Sequence, residues 1–385
     1  MTLTGGKYPF WQTLAAATSG IVIRTGTTTG GTMSQTLTPA DVSHYYQRLA
    51  DLSTLPFWQL PDFTAPAGPE RPHVWAWRDV YPELARTRDI LDGAAAASQR
   101  RALVFRNPGL DLPAATPTIA AAYQMLFPGE SAPVHAHSMS ALRFGLAGHG
   151  AQMVIDGDRV PMEPGDLILT PGWSWHGHVH PGGDEPVVWM DGLDVPLVVG
   201  LRANFFRDDP CVDDPLPARD TDGTAVSPSM LAPAGDRADR HSPVRRYLWQ
   251  EAYPALRRLM ARAYGDDPVS RLEYRNPVTG GPALATLGCL LEGLPAGARS
   301  RPSRETASSV LVVARGAGTL VCGGQTFELL PHDVAAIPAW TWHQLTARDH
   351  ELVLFRVTDR PVHEAFGLYR SETAAPSPQG ELDGH

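Results

Sequence analysis

Two stretches of this chain can be laid on each other, and that internal repeat constrains the fold more than any other feature. In the first, Gly129 is followed after five residues by His135 and His137, then by Gly148, Gly150, the turn Pro164-Gly165-Asp166 and the run Trp173-Ser174-Trp175-His176. In the second, Gly297 is followed after five residues by Ser303 and Glu305, then by Gly316, Gly318, Pro331-His332-Asp333 and Trp340-Thr341-Trp342-His343. The offset is 168 residues at the first pair and 167 at the last histidine, so one deletion in the intervening turn accounts for the difference. Turn glycines and an aromatic-histidine run that return in order at near-constant spacing mark a duplicated module. Short apolar segments (ALVF, MVI, LILT, VVWM) separated by NPG, PGE, DGD, EPGD and PGG give that module the texture of a β-barrel. With 36 Gly and 36 Pro in 385 residues, turn-rich β structure is expected over helix bundles.

The repeat sets the expected organisation. Residues 1–38 are read as an N-terminal tail, in which 8–23 only loosely resemble a signal-peptide core and Met33 is a second candidate start, which would leave 1–32 outside the native protein. Residues 39–101 are read as a helical and irregular arm. TPADVSHYYQRLADL has a Thr N-cap ahead of helical periodicity, and YPELARTRDILDGAAAASQRR reads as a second helix. The Pro-rich aromatic stretch between them is expected to pack on a partner subunit. Residues 102–206 form the first barrel, 207–264 a linker ending in a helix from about 245, 265–370 the second barrel, and 371–385 a disordered tail. The fold class is therefore all-β with helical additions.

Composition removes several chemistries. Lys7 is the only lysine among 32 basic residues, so a P-loop, a pyridoxal Schiff base and a lysine general base have no candidate in the folded part. A net charge of −9 without a basic cluster argues against nucleic acid. Cys211, Cys289 and Cys322 stand far apart with no CxxC, which fits a reducing cytoplasm and neither a disulfide framework nor a zinc ribbon. No apolar run is long enough for a membrane helix.

A histidine pair at i and i+2 on a strand aims both side chains to one face, and a histidine from a later strand can complete a facial triad. His135 and His137 supply the pair and His176 the third ligand. A lone HxH is more often a pair of ordinary core histidines, but here a spaced WxWH follows. In the second copy only His343 remains, beside Ser303 and Glu305, so that barrel is expected to have lost its metal and to be structural.

At these residues a family resemblance appears. Gx5HxH, a PGD turn and a late histidine resemble the two motifs of the cupins, here without the usual glutamate after HxH, since Ala141 and Leu142 occupy those places. HAHSMSALRFGLAGHG, GDLILTPGWSWHGH, VVWMDGLDVPLV and YRNPVTGGPALATLGC together resemble the ring-cleaving bicupins of the gentisate 1,2-dioxygenase family, including salicylate and 1-hydroxy-2-naphthoate dioxygenases, over roughly residues 70–370. The resemblance implies a bicupin of two jelly-roll barrels, a homotetramer, and one Fe(II) per subunit on the three histidines of the N-terminal barrel, opening a 2-hydroxybenzoate ring with O2. Three neutral ligands agree with this: they leave three adjacent octahedral positions, enough for a bidentate hydroxy-carboxylate and O2. Zinc lacks the redox chemistry.

Around the ligands, Arg143 lies six residues after His137, hence on the same face if the strand is continuous, where it would meet a substrate carboxylate; a core ion pair is the alternative. His178, two residues past His176, aims at the same side and is expected to hydrogen-bond substrate or oxygen in acid–base steps. His180 meets PGG and is expected to face solvent. The resemblance makes Asp191 a partner that orients His178, against a plain turn Asp before Gly192, and makes Gln124 a substrate contact, against a core hydrogen-bonding role. Trp175 and Trp189 could line an aromatic pocket or be plain core. Two departures from the family pattern, Gly177 in place of an acid and Ala120-Ala121-Ala122 where relatives often carry a tryptophan, are expected near the pocket and bear on which acid is used.

The expected function is Fe(II)-dependent conversion of gentisate and O2 to maleylpyruvate. The same chemistry on salicylate, a substituted salicylate or 1-hydroxy-2-naphthoate is the nearest alternative; a non-catalytic small-molecule-binding bicupin and a metal-dependent cupin isomerase are the others.

Overall fold

The computed structural model describes residues 38–60, 64–91, 100–208, 242–262 and 267–374. The tail reading for 1–37, the helix reading over 92–99, linker residues 209–241 with Cys211, and 375–385 lie outside the described residues. Up to Ala65 the chain is a unit of its own. Helix α1 (Pro39–Asp51) begins where the Thr38 signal placed it. Thr38 Oγ1 accepts the Asp41 N–H at 3.3 Å, and the Asp41 carboxylate accepts the Thr38 N–H at 2.8 Å, so two otherwise orphaned donors are satisfied reciprocally.

From Pro66 on, β1 (His73–Trp75) and α2 (Trp77–Ile90) precede ten strands: β2 (Arg101–Val104), β3 (Ala120–Leu126), β4 (Ser131–His137), β5 (Ala141–Ala147), β6 (Gln152–Ile155), β7 (Asp158–Pro161), β8 (Leu167–Thr170), β9 (His176–Val179), β10 (Val187–Leu193) and, after the short helix α3 (Val195–Gly200), β11 (Phe206–Asp208). Then β12 (Arg246–Tyr247) and α4 (Trp249–Met260) precede β13 (Ser270–Glu273), β14 (Gly288–Leu294), β15 (Ser303–Glu305), β16 (Ser309–Arg315), β17 (Gly318–Cys322), β18 (Gln325–Leu329), β19 (Val334–Ile337), β20 (His343–Ala347), β21 (Leu352–Thr358), α5 (Arg360–Ala365) and β22 (Ser371–Thr373). Each module is a pair of antiparallel sheets: β12-β8-β5-β10-β3-β2 against β11-β4-β9-β6-β7, and β1-β19-β16-β21-β14-β13 against β18-β17-β20-β15-β22.

The larger sheet of each module is buried on both faces, which is why strands such as AAAYQML read as continuous apolar runs rather than as an alternation. In β3, Ala121, Tyr123 and Met125 enter the core shared by the two modules, whereas Leu126 belongs to the interior of the first. By alternation Ala120, Ala122 and Gln124 take the interior face too. The shared core includes Phe144 stacked on Phe355, with ring centroids 4.4 Å apart. There the Tyr123 hydroxyl donates to the His332 carbonyl at 2.5 Å.

The modules exchange edge strands. β1, ahead of the first module, pairs with β19 of the second, and β12, ahead of the second, pairs with β8 of the first. Each exchanged strand leads into a helix whose first N–H is bound by the aspartate of the other module's repeated turn: Trp249 N–H to Asp166 and Trp77 N–H to Asp333, both at 2.7 Å. Both helices carry W-x-x-x-Y-P-x-L, with Leu84 and Leu256 fully buried.

The expected boundaries shift accordingly. His73–Trp75, placed in an irregular arm, is a strand of the second module; Arg246–Tyr247, placed in the linker, is a strand of the first; and Ser371–Thr373, placed in the disordered tail, pairs with Ser303–Glu305. Strands of two or three residues are too short to show a period, and only their pairing makes them visible.

Candidate metal centre

His135 and His137 end β4, and His176 begins the neighbouring β9, where it is the register partner of His135. One ring nitrogen from each lies within 4.8 Å of the others, and all three side chains are buried. Each Nδ1 faces a backbone carbonyl: His135 to Pro133 at 3.0 Å, His137 to Met139 at 2.8 Å and His176 to Ser174 at 2.9 Å. A carbonyl can only accept, so Nδ1 carries the proton and Nε2 the lone pair, which in His135 accepts from Arg100 Nη2 at 2.6 Å. His176 Nε2 is buried with no protein partner. Burial first, with help from Arg100 and Arg143, holds His135 near pKa 3, while His137 sits near 4 and His176 well below the usual range. Three neutral imidazoles with oriented lone pairs fit a divalent metal, and the carbonyls are the partners that fix ligating rings.

Among the described residues this is the one group of His, Cys, Asp and Glu placed to hold a metal. The Phe206 ring stacks on His135 at 5.2 Å and, through β11, covers that side of the cluster.

Arg143 reaches the interior by another route than the one expected. β4 ends at His137, and Arg143 belongs to β5 in the opposite sheet, so spacing along one strand does not place it. It is buried, its Nη1 donates to Thr170 Oγ1, and its Nε lies 3.3 Å from Asp191 Oδ1. Asp191 is the direct register partner of Arg143 on β10 and also accepts Trp189 Nε1–H at 3.0 Å. It is a strand residue rather than a turn residue, and it does not hold His178. Both ring nitrogens of His178 are buried without a partner, and its ring stacks on Trp189 at 5.1 Å. Burial, and then Arg143, pushes the His178 pKa well down, so the ring is neutral at physiological pH.

Gln124 is buried on the interior face of β3, opposite Trp189 across the pair β3–β10. Trp189 is fully buried, whereas Trp175 is half-buried and precedes His176, so alternation turns it away from the cluster. Gly177 also sits on the far side of β9. A Cβ there would lie 3.0 Å from the Ala132 carbonyl and the Val134 side chain, so Gly177 answers to sheet packing and not to the pocket. His180, expected in solvent, is fully buried because the loop after it folds back and its Nε2 faces the Glu185 carbonyl at 3.0 Å.

One residue escaped the sequence reading. Arg100, just before β2, places Nη2 at 2.6 Å from His135 Nε2 and acts electrostatically on Asp191, Asp208 and His178. Nothing in its local sequence distinguishes it from the adjacent Arg101, which instead binds Glu130 at 2.7 Å.

Residues 122–196 match the cupin domain family. The chain is 36% identical to a gentisate 1,2-dioxygenase of Streptomyces over 341 residues, covering 85% of this chain and 94% of that one. The chain belongs to the gentisate 1,2-dioxygenase family. Another member, a 1-hydroxy-2-naphthoate 1,2-dioxygenase of Nocardioides, is 38% identical over 79% of both chains. The solved structure of the salicylate 1,2-dioxygenase of Pseudoaminobacter salicylatoxidans with gentisate superposes with a TM-score of 0.81 at 32% identity, covering 89% of this chain and 96% of that one. The fold expected from the repeat, an all-β bicupin, is the fold of this family.

Proposed function

We propose that this chain is an Fe(II)-dependent ring-cleaving dioxygenase acting on a 2-hydroxybenzoate-type acid, with gentisate first, giving maleylpyruvate. The observation that carries the reading is the cluster of three neutral, lone-pair-oriented histidines facing a buried arginine inside one barrel. His135, His137 and His176 would hold the iron, which supplies the redox chemistry that reaction with dioxygen requires. Arg143, held by Thr170 and Asp191, receives the substrate carboxylate, and Arg100 adds a second cation beside His135. Asp191 acts on both guanidiniums and Asp208 on Arg100, and an anionic substrate adds a counter-charge at Arg143 itself. Because His178 is neutral with both nitrogens unengaged, it can donate a hydrogen bond to a substrate oxygen from one nitrogen and accept the ring hydroxyl's hydrogen bond at the other. Gln124 and Trp189 flank the ring, and Trp175 takes no part.

A second reading keeps the chemistry and widens the acid. Ala120 and Ala122 present only methyl groups on the face that carries Gln124, and Ala122 is the register partner of Asp191. Small side chains there favour a bulkier acid such as 1-hydroxy-2-naphthoate.

We further propose a cytoplasmic homotetramer; light scattering on the purified protein tests the assembly. Among the described residues no helix is long and apolar enough to cross a membrane. For the reaction itself, the Fe(II)-loaded protein is incubated anaerobically with gentisate, salicylate, a substituted salicylate and 1-hydroxy-2-naphthoate in turn, and O2 is then admitted. A ring-opened keto acid from one of them supports the reading, and no product from any removes it.

A further inference from the structure

The second barrel has lost two of the three metal-site histidines, yet its interior is not purely apolar. At the fifth position of β10 and of β3 the first barrel carries Asp191 and Gln124; at the fifth position of β21 and of β14 the second carries Arg356 and Glu292. Leu354 and Leu311 belong to the apolar interior of this barrel, and Arg356 lies two residues from the first and opposite the second, so its side chain enters the same space. Ser309, two residues before Leu311, does likewise. His343 is the register partner of Cys322, another interior residue.

The donors inside outnumber their acceptors. Arg356 Nη2 donates to one Glu292 oxygen at 3.0 Å, and Arg271 Nε donates to the other at 3.0 Å. One carboxylate is therefore shared by two guanidiniums. Arg271 is 41% exposed and has Asp267 at 3.4 Å as a further partner, whereas the Arg356 side chain is 6% exposed. Arg356 Nε and Nη1 are buried with no protein partner, and so is Ser309 Oγ. Buried N–H and O–H donors that have given up water without gaining an acceptor are costly. A group that accepts from these donors and carries negative charge removes that cost.

We propose that the second barrel is a binding site for a small oxyanion, no larger than acetate, held by the unpartnered Arg356 N–H groups and the Ser309 hydroxyl. Formate, nitrate and hydrogencarbonate share the required chemistry: a negative charge and several acceptor lone pairs on a few atoms. The duplication thus kept a polar centre in each barrel and changed its ligand, from a cation on three histidines to an anion on an arginine.

The test is thermal unfolding of the full-length iron-loaded protein in sodium formate, nitrate or hydrogencarbonate, each against sodium chloride at equal ionic strength. Because the first barrel is also cationic, the series is run in parallel on wild type, Arg143→Leu, Ser309→Ala and Arg356→Met. The expected result is a saturable rise in Tm with at least one oxyanion, retained in Arg143→Leu, with the half-saturating concentration raised about tenfold in Ser309→Ala and the rise abolished in Arg356→Met. Should Arg356→Met fail to fold, Ser309→Ala decides alone, since alanine fits any serine site. The proposal is overturned by the absence of a saturable rise in wild type, by its loss in Arg143→Leu, or by an unchanged half-saturating concentration in Ser309→Ala.

Discussion

Arg143 and Asp191 are direct partners across two strands, 3.3 Å apart between Nε and Oδ1, and both are buried inside the first barrel. The pair makes the arginine a fixed element: it is set by its own sheet, before any substrate arrives. A preset donor loses little freedom on binding, which is what selective capture of a carboxylate requires.

Replacing Asp191 with Asn keeps an acceptor for Trp189 but leaves Arg143 buried without its counter-charge. The expected loss of stability is about 3 kcal/mol. A substrate carboxylate substitutes for part of the missing charge, so saturating acid should raise the Tm of the variant more than that of wild type. Calorimetry with and without the acid measures both effects; an equal shift in the two proteins would remove the proposed role of Arg143.

Removing the guanidinium in Arg143→Gln should raise KM for the aromatic acid by about 10- to 100-fold, the range for losing a charged hydrogen bond of about 1.5–3 kcal/mol. Iron content should be unchanged, because Arg143 stands in the opposite sheet from the histidines. Steady-state kinetics and metal analysis on the same preparation separate the two, and a variant that loses iron would place Arg143 in metal retention instead.

His137→Ala should abolish stoichiometric iron while leaving the barrel folded, since its ring ends a strand whose pairing with β9 and β11 is made by the backbone. Metal analysis and circular dichroism provide the check. Retention of one iron per chain would move the metal site elsewhere.

Gly177→Asp should destabilise by about 1–3 kcal/mol, because the new Cβ would lie 3.0 Å from the Ala132 carbonyl and the Val134 side chain and β4 must shift to accept it. A chemical denaturation curve reads this directly. Unchanged stability would mean that β4 yields there freely, and would return Gly177 to the question of substrate choice.

Burial alone would raise the Glu292 carboxyl, but Arg356 and Arg271 more than reverse this and hold its pKa down to about 2. An acid whose folded pKa lies below its unfolded value, about 4.3, binds more protons when unfolded. Its contribution to stability is therefore complete above that value and is lost as pH falls from there toward 2. Acid unfolding followed by circular dichroism should show a flatter loss over this window in Glu292→Gln than in wild type; parallel curves would place the charge balance of the second barrel on other groups.

How much of this was legible before the fold was known differs by kind of information. The repeated turns, the histidine triad and the family were readable because each depends on residue type at fixed local spacing: glycine and proline where the chain reverses, and i, i+2 for one strand face. A further repeat, W-x-x-x-Y-P-x-L ahead of each barrel, was equally present in the sequence, and it would have assigned Trp77–Ile90 and Trp249–Met260 as equivalent helices.

The partners were not legible. Arg143 pairs with Asp191 and reaches the histidines from the opposite sheet, not along the strand of His137; Arg100 and Arg101 are neighbours with different partners; His180 is buried by a loop that folds back over it; and β1 completes the barrel that it does not precede. Sequence spacing fixes which way a side chain leaves its own strand. What waits on the other side depends on which strands lie in the facing sheet and in what register, and those pairings, made by chain segments tens to hundreds of residues apart, exist only once the two sheets have closed on each other.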